Sequence, residues 1–166
     1  MNRHLSILIA GLLLALAIVG TNAQAAPQRT GVVVNVHTPG GLTLPVAELT
    51  ASVLRQVHDT LQGIDRVFLV EQDALVSAQE RLGITLSAKS KDRDIRAISR
   101  ALDLKHLIVL EITVGRRFDV ALAATVFNPD GTRAFFAALR VEGSELDRSL
   151  GRAVKGVFEL VLPALS

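Results

Sequence analysis

The side chains best suited to proton transfer near neutral pH are the histidines, His4, His37, His58 and His106. Their surroundings form no recognised catalytic pattern. There is no H-E-x-x-H helix, no G-x-S-x-G elbow and no regularly spaced carboxylate set. His58-Asp59 falls on the polar-leaning side of a helix, where a solvated pair is the default, so a hydrolase built on His58 is the least favoured reading. His106 opens a strand and is expected at the sheet edge. A metal site would require His37, His58 and a carboxylate to converge in space. Thr38-Pro39-Gly40-Gly41 precedes a helix and could turn backbone N–H groups toward an anion, with Thr38, Gly40 and Gly41 as its candidate residues. It lacks the lysine of a nucleotide-phosphate loop, and glycine is ordinary turn chemistry at such a junction. Lys89 to Asp94 mixes both charge signs, as a solvated loop would. Arg116-Arg117 is expected as an exposed knob at a hairpin tip. No catalytic, cofactor-binding or metal-binding residue is therefore assigned, and the chain reads as a non-enzyme.

The elements that would position any site are more legible. Three runs alternate apolar residues with period two: Ile108, Leu110, Ile112 and Val114; Val120, Leu122, Ala124 and Val126; then Phe135, Ala137, Leu139 and Val141. Asn128-Pro129-Asp130-Gly131 separates the second run from the third. Proline presets φ at its second position and Gly131 can take a positive φ, which predicts a turn. Gly115-Arg116-Arg117 closes the first hairpin. The three runs predict an antiparallel meander.

Upstream, residues 31–37 are β-branched and predict a first strand. A helix starting near Thr43, with Pro45 in its first turn, follows from Val46, Leu49, Val53, Val57 and Leu61 at three- and four-residue spacing. Gly63 is its expected left-handed stop. Residues 66–70 predict a short strand, and Asp73 is placed to cap a helix over 74–82 that Gly83 ends. A loop over 84–91 leads to a helix over 92–102, with Ile95, Ile98 and Leu102 inward and Arg93, Arg96 and Arg100 outward. Ser144 and Asp147 resemble a capping box for a last helix, whose inward face is Leu146, Leu150, Val154, Val157 and Val161 and which Pro163 closes. The order β-α-β-α-α-β-β-β-α predicts an α+β two-layer sandwich. Its sheet has about five strands and is mixed, since a helical connection makes the first two strands parallel neighbours or places one strand between them. Its helices lie mainly on one face.

The opposite sheet face is unusually apolar for a solvated one. Val109, Ala121, Ala123, Phe127, Phe136 and Ala138 point there, with Leu107, beside Glu111, Thr113, Asp119 and Arg140. Either the 74–82 helix and the loop after it cover this patch, or another protein does. These six residues are the candidate partner-binding face.

Residues 1–25 read as a secretory signal peptide: Arg3 at the head, an apolar run from Leu5 to Gly20, and an Ala23-Gln24-Ala25 ending. The run is shorter than the roughly 20 residues that span a bilayer, so no transmembrane anchor is expected after cleavage. Residues 26–166 are expected to form one periplasmic domain, long enough to bury its own core. The full chain carries 18 basic and 16 acidic residues. Removing Arg3 leaves a near-neutral domain with no footprint for nucleic acid. The absence of cysteine excludes thiol nucleophiles, thiolate metal sites and a lipid anchor on an N-terminal cysteine. The absence of tryptophan and tyrosine argues against a stacking surface for sugars or bases.

Val32-Val33-Val34-Asn35-Val36, the helix segment 54–61, Ala101 to Leu110 at the helix-to-strand junction, and the hairpin and turn of 118–131 together resemble a group of bacterial envelope modules. That group includes the N-terminal domain of the Tol-Pal protein TolB, the periplasmic domain of the curli secretion lipoprotein, and the lipoprotein activators of penicillin-binding proteins. The resemblance is one of pattern over nearly the whole mature chain. It departs at Asn35-Val36-His37, where such modules often end the strand in aspartate-phenylalanine, and in lacking the anchoring cysteine. It implies a non-catalytic part of an envelope assembly, whose partner is another envelope protein or a second copy.

Overall fold

The computed structural model of the chain describes residues 29–38, 45–115, 119–143 and 145–165. The expected signal peptide lies outside the described residues, as do Gly40, Gly41, Thr43, Arg116, Arg117 and Ser144.

In chain order the elements are β1 (Thr30–His37), α1 (Val46–Leu61), β2 (Val67–Leu69), α2 (Gln72–Leu82), α3 (Asp92–Ala101), β3 (His106–Val114), β4 (Val120–Phe127), β5 (Arg133–Val141) and α4 (Leu146–Val161), followed by a 3-10 turn at Leu162–Leu165. They build one mixed five-stranded sheet in the order β2-β1-β3-β4-β5. β1 runs parallel to both of its neighbours, and β3, β4 and β5 form the antiparallel meander. The two strands joined by α1 are thus direct parallel neighbours.

One face of the sheet carries the larger core. Val32, Ile108, Leu110, Ile112, Val120, Leu122 and Val126 pack against Leu49, Val53 and Val57 of α1 and Leu150, Val154, Val157 and Phe158 of α4. All of these side chains are at most 2% exposed, and each contributes about 1.5–3 kcal/mol of transfer free energy. Ser52 is buried in the α1–α4 seam, where its Oγ donates to Asp147 Oδ1 at 2.6 Å. Asp147 therefore serves a helix–helix contact. Glu145 holds the N-cap position of α4 without a side-chain hydrogen bond.

The N-cap of α2 also differs from expectation. Glu71, not Asp73, occupies the N-cap of α2, again without a side-chain bond, and Asp73 sits in the first turn. α2 ends at Gly83 with φ 65°, and Gly63 takes φ 88° after α1, as the stop signals require. α4 passes through the 3-10 turn that contains Pro163. Among the described residues, no helix is long and apolar enough to cross a membrane.

The second face has its own, smaller core. Val33, Leu107, Val109 and Phe127 meet Leu75 and Ala78 of α2, Ile95 and Ile98 of α3, and Leu86 and Leu104 of the connections. The loop between α2 and α3 is tied down by two sheet side chains. Asn35 Nδ2 donates to the Leu86 carbonyl at 3.3 Å, and Glu111 Oε1 accepts from the Ala88 N–H at 3.1 Å. The chain thus covers part of this face with α2, the following loop and α3.

Candidate partner-binding sheet face

Coverage divides the six candidate residues. Val109 is fully buried and Phe127 is 3% exposed. Both belong to the second core beneath α2 and α3, so neither is available to a partner. The reason is topological: α3 is amphipathic, and the connection into β3 lays its Ile95 and Ile98 onto this face. Ala121 and Ala138 are exposed, Ala123 is half-buried, and Phe136 is 53% exposed. These four are adjacent, because Ala123 pairs with Ala138 and Ala121 with Arg140, while Phe136 pairs with the buried Thr125. They sit on β4 and β5, beyond the reach of the covering helices.

The open part is a shallow trough lined by Ala121, Ala123 and Ala138, with His37, Glu111, Thr113 and Arg140 around them. Two of its polar groups are engaged. Glu111 holds the Ala88 N–H. Arg140 Nη2 donates to Asp119 Oδ2 at 2.8 Å. His37 is exposed at the end of β1, in register with Thr113. Among the described residues, no hydrogen bond joins a nucleophile to a base within the trough, and no cluster of His, Asp and Glu is arranged to hold a metal ion.

The histidines are dispersed by the fold. His37 shares the second face with Val33 and Asn35, whereas His58 lies exposed on α1, which packs on the first face. The sheet separates them, so the three-way convergence that a metal site would require does not occur. His58 Nε2 instead lies 3.2 Å from Gln62 Nε2. His106 is not at a sheet edge: β3 runs between β1 and β4, and His106 pairs with Thr30. Its Nδ1 is buried without a hydrogen-bond partner. Burial first, and the adjacent Lys105 charge second, hold its pKa below the ordinary value; a backbone hydrogen bond at Phe127 opposes them. Of the anion-loop candidates, Thr38 is described and half-buried, while Gly40 and Gly41 are not described.

The fold has counterparts among solved structures. The lipoprotein GNA1162 from Neisseria meningitidis matches with a TM-score of 0.54 at 13% identity, over 84% of this chain and 100% of that one. The LpoB C-terminal domain from Salmonella enterica matches at TM-score 0.48 and 19% identity, over 76% and 91%. The PelC dodecamer from Paraburkholderia phytofirmans gives TM-score 0.48 and 14% identity, over 79% and 84%. At these identities the likeness is one of fold, carried by the Neisseria lipoprotein. No protein-family model matches the chain, and no curated protein does.

The trough had a signal in the sequence, the apolar parity of β4 and β5. Its limits did not. Which apolar positions the chain covers depends on where α3 lands, and periodicity reports only that α3 has an apolar side.

Proposed function

We infer that this protein is an exported, non-catalytic interaction module of the bacterial cell envelope, whose open trough on β4 and β5 docks another envelope protein. The observation that carries this reading is the exposure of Phe136 and Ala138 on β5, continuing the trough that Ala121 and Ala123 line, on a face where the chain buries Val33, Leu107, Val109 and Phe127 with its own helices. A sheet face that is half core and half exposed apolar surface favours a protein partner. The dispersed histidines and engaged carboxylates supply no competing chemistry. The signal-like N-terminus and the fold shared with a Neisseria lipoprotein support an envelope location. TolB, the curli secretion lipoprotein and the activators of penicillin-binding proteins remain the envelope systems with which the sequence pattern is allied.

Site-specific photo-crosslinking tests the assignment. A photoreactive residue at Ala138 is expected to capture a discrete partner in intact cells, and the same residue at the exposed Ala51 on α1 is not. Recovery of the monomer alone from position 138 would remove the docking role. A crosslink between two copies would make the partner a second copy of this chain.

A further inference from the structure

The two faces of the sheet are covered unequally. α1 and α4, 16 residues each, bring ten buried apolar side chains to the first face. The segment 72–101, made of α2, α3 and the loop between them, is of similar length but brings only five, Leu75, Ala78, Leu86, Ile95 and Ile98. It also buries the Ser99 hydroxyl, which has no hydrogen-bond partner among the described residues, and that weakens the closed arrangement. Three side-chain hydrogen bonds tie the segment to the sheet and its turn: Asn35 to the Leu86 carbonyl, Glu111 to the Ala88 N–H and Arg96 to the Asp130 carbonyl. Among the described residues, the first-face core takes nothing from this segment. Its two ends are anchored side by side. Val70 and Leu104 both press on Gly31 of β1, where an added Cβ would lie 2.9 Å from the one and 2.8 Å from the other. The Val70 N–H also donates to the Val32 carbonyl at 2.9 Å. The portion between these anchors can lift without parting β2, β1 and β3.

We propose that 72–101 is a releasable cover, which opens as a unit while the sheet, α1 and α4 stay folded, and whose opening enlarges the docking trough. Its use in docking rests on the reading of the protein as an interaction module. A segment held by few buried apolar contacts opens at a free energy below that of global unfolding. When 72–101 lifts, Val33, Leu107, Val109 and Phe127 lose their cover. They run directly into the trough, because Val109 lies two residues before Glu111, and Glu111 pairs with Ala123. The docking face therefore has two sizes. Closed, it offers Ala121, Ala123, Phe136 and Ala138. Open, it adds Val109 and Phe127 and becomes the whole apolar face that strand parity predicts. A partner that needs the larger face shifts the protein toward the open state only by its extra affinity for that state.

Native-state amide hydrogen exchange of the purified protein, followed at low denaturant concentrations, tests the opening. Amides of α2 and α3 are expected to exchange roughly a hundredfold faster than those of α1 and α4, with a shallower denaturant dependence. Two substitutions outside the trough should move the cover in opposite directions. Arg96→Ala removes an exposed tie and should speed exchange of α2 and α3 together roughly fivefold. Ser99→Ala removes the unpartnered hydroxyl and should slow it. Exchange in α4 should hold in both. A photoreactive residue at Ala138 then reports on the partner in intact cells, and capture is expected to rise in Arg96→Ala and fall in Ser99→Ala. Exchange of α2 and α3 at the rate and denaturant dependence of α4 would overturn the cover. Capture that ignores both substitutions while exchange shifts would overturn its part in docking. Recovery of the monomer alone from position 138, with the cover still opening first, would instead remove the interaction reading and leave the opening as a property of the fold.

Discussion

Burial changes what individual polar residues can do in this protein. His106 is the clearest case, because it opens the central strand β3 half-buried, with its Nδ1 buried and unpartnered. Its folded-state pKa lies below the unfolded value of 6.5, so the folded state binds fewer protons in that interval. Stability is then complete above 6.5 and declines as pH falls through the lowered value. Thermal melts between about pH 7.5 and pH 5 should show a falling Tm, and His106→Gln should flatten that slope. An unchanged slope would mean that His106 is not the titrating group. Glu111 illustrates the opposite use of a polar side chain. Its carboxylate anchors the α2–α3 loop through the Ala88 N–H, so Glu111→Ala should cost about 1–2 kcal/mol. Exchange should accelerate at residues 84–91 and stay unchanged on α4.

At the scale of elements, α3 is tied to the β4–β5 turn. The turn closes through Gly131 N–H donating to the Asn128 carbonyl at 2.9 Å, with Gly131 at φ 91°. Asp130 Oδ1 accepts from the Thr132 N–H at 2.9 Å and from the Thr132 hydroxyl at 2.6 Å. Arg96 on α3 donates from Nε to the Asp130 carbonyl at 2.8 Å, and a Cβ on Gly131 would strike the Asp92 carbonyl at the start of α3. Gly131→Ala combines left-handed strain with that collision, and should lose on the order of 2 kcal/mol or more by chemical denaturation. Gly83→Ala meets nothing nearby and should lose only about 1 kcal/mol from its φ. Across the sheet, Ser52 and Asp147 couple α1 to α4. Ser52→Ala should cost about 1 kcal/mol and be non-additive with Asp147→Ala in a double-mutant cycle.

For the whole molecule, the second face holds two environments a few ångströms apart, and one substitution chemistry separates them. Val109→Asp places an unpaired carboxylate in a fully buried site and should destabilise by several kcal/mol or prevent folding. Ala138→Asp lies on exposed surface and should change stability by less than about 0.5 kcal/mol while abolishing partner capture. Equal thermal stability of the two variants would mean that the division into core and trough is wrong.

The alternation of β3, β4 and β5, the Asn128–Gly131 turn, the glycine stops at Gly63 and Gly83 and the apolar stripes of α1 and α4 were all legible in the sequence, because each is a local property of spacing and φ. The same information placed Val109, Phe127, Phe136 and Ala138 together on one face, since the parity of a strand is fixed by its pleat. Tertiary structure decided which of them meet water. Ile95 and Ile98 needed an apolar surface, the chain brought them to Val109 and Phe127, and the length of the covering segment left β4 and β5 bare beyond that point. Periodicity is a one-dimensional record of which side is apolar, whereas coverage depends on contacts between residues far apart in the chain, and those exist only once the chain has folded.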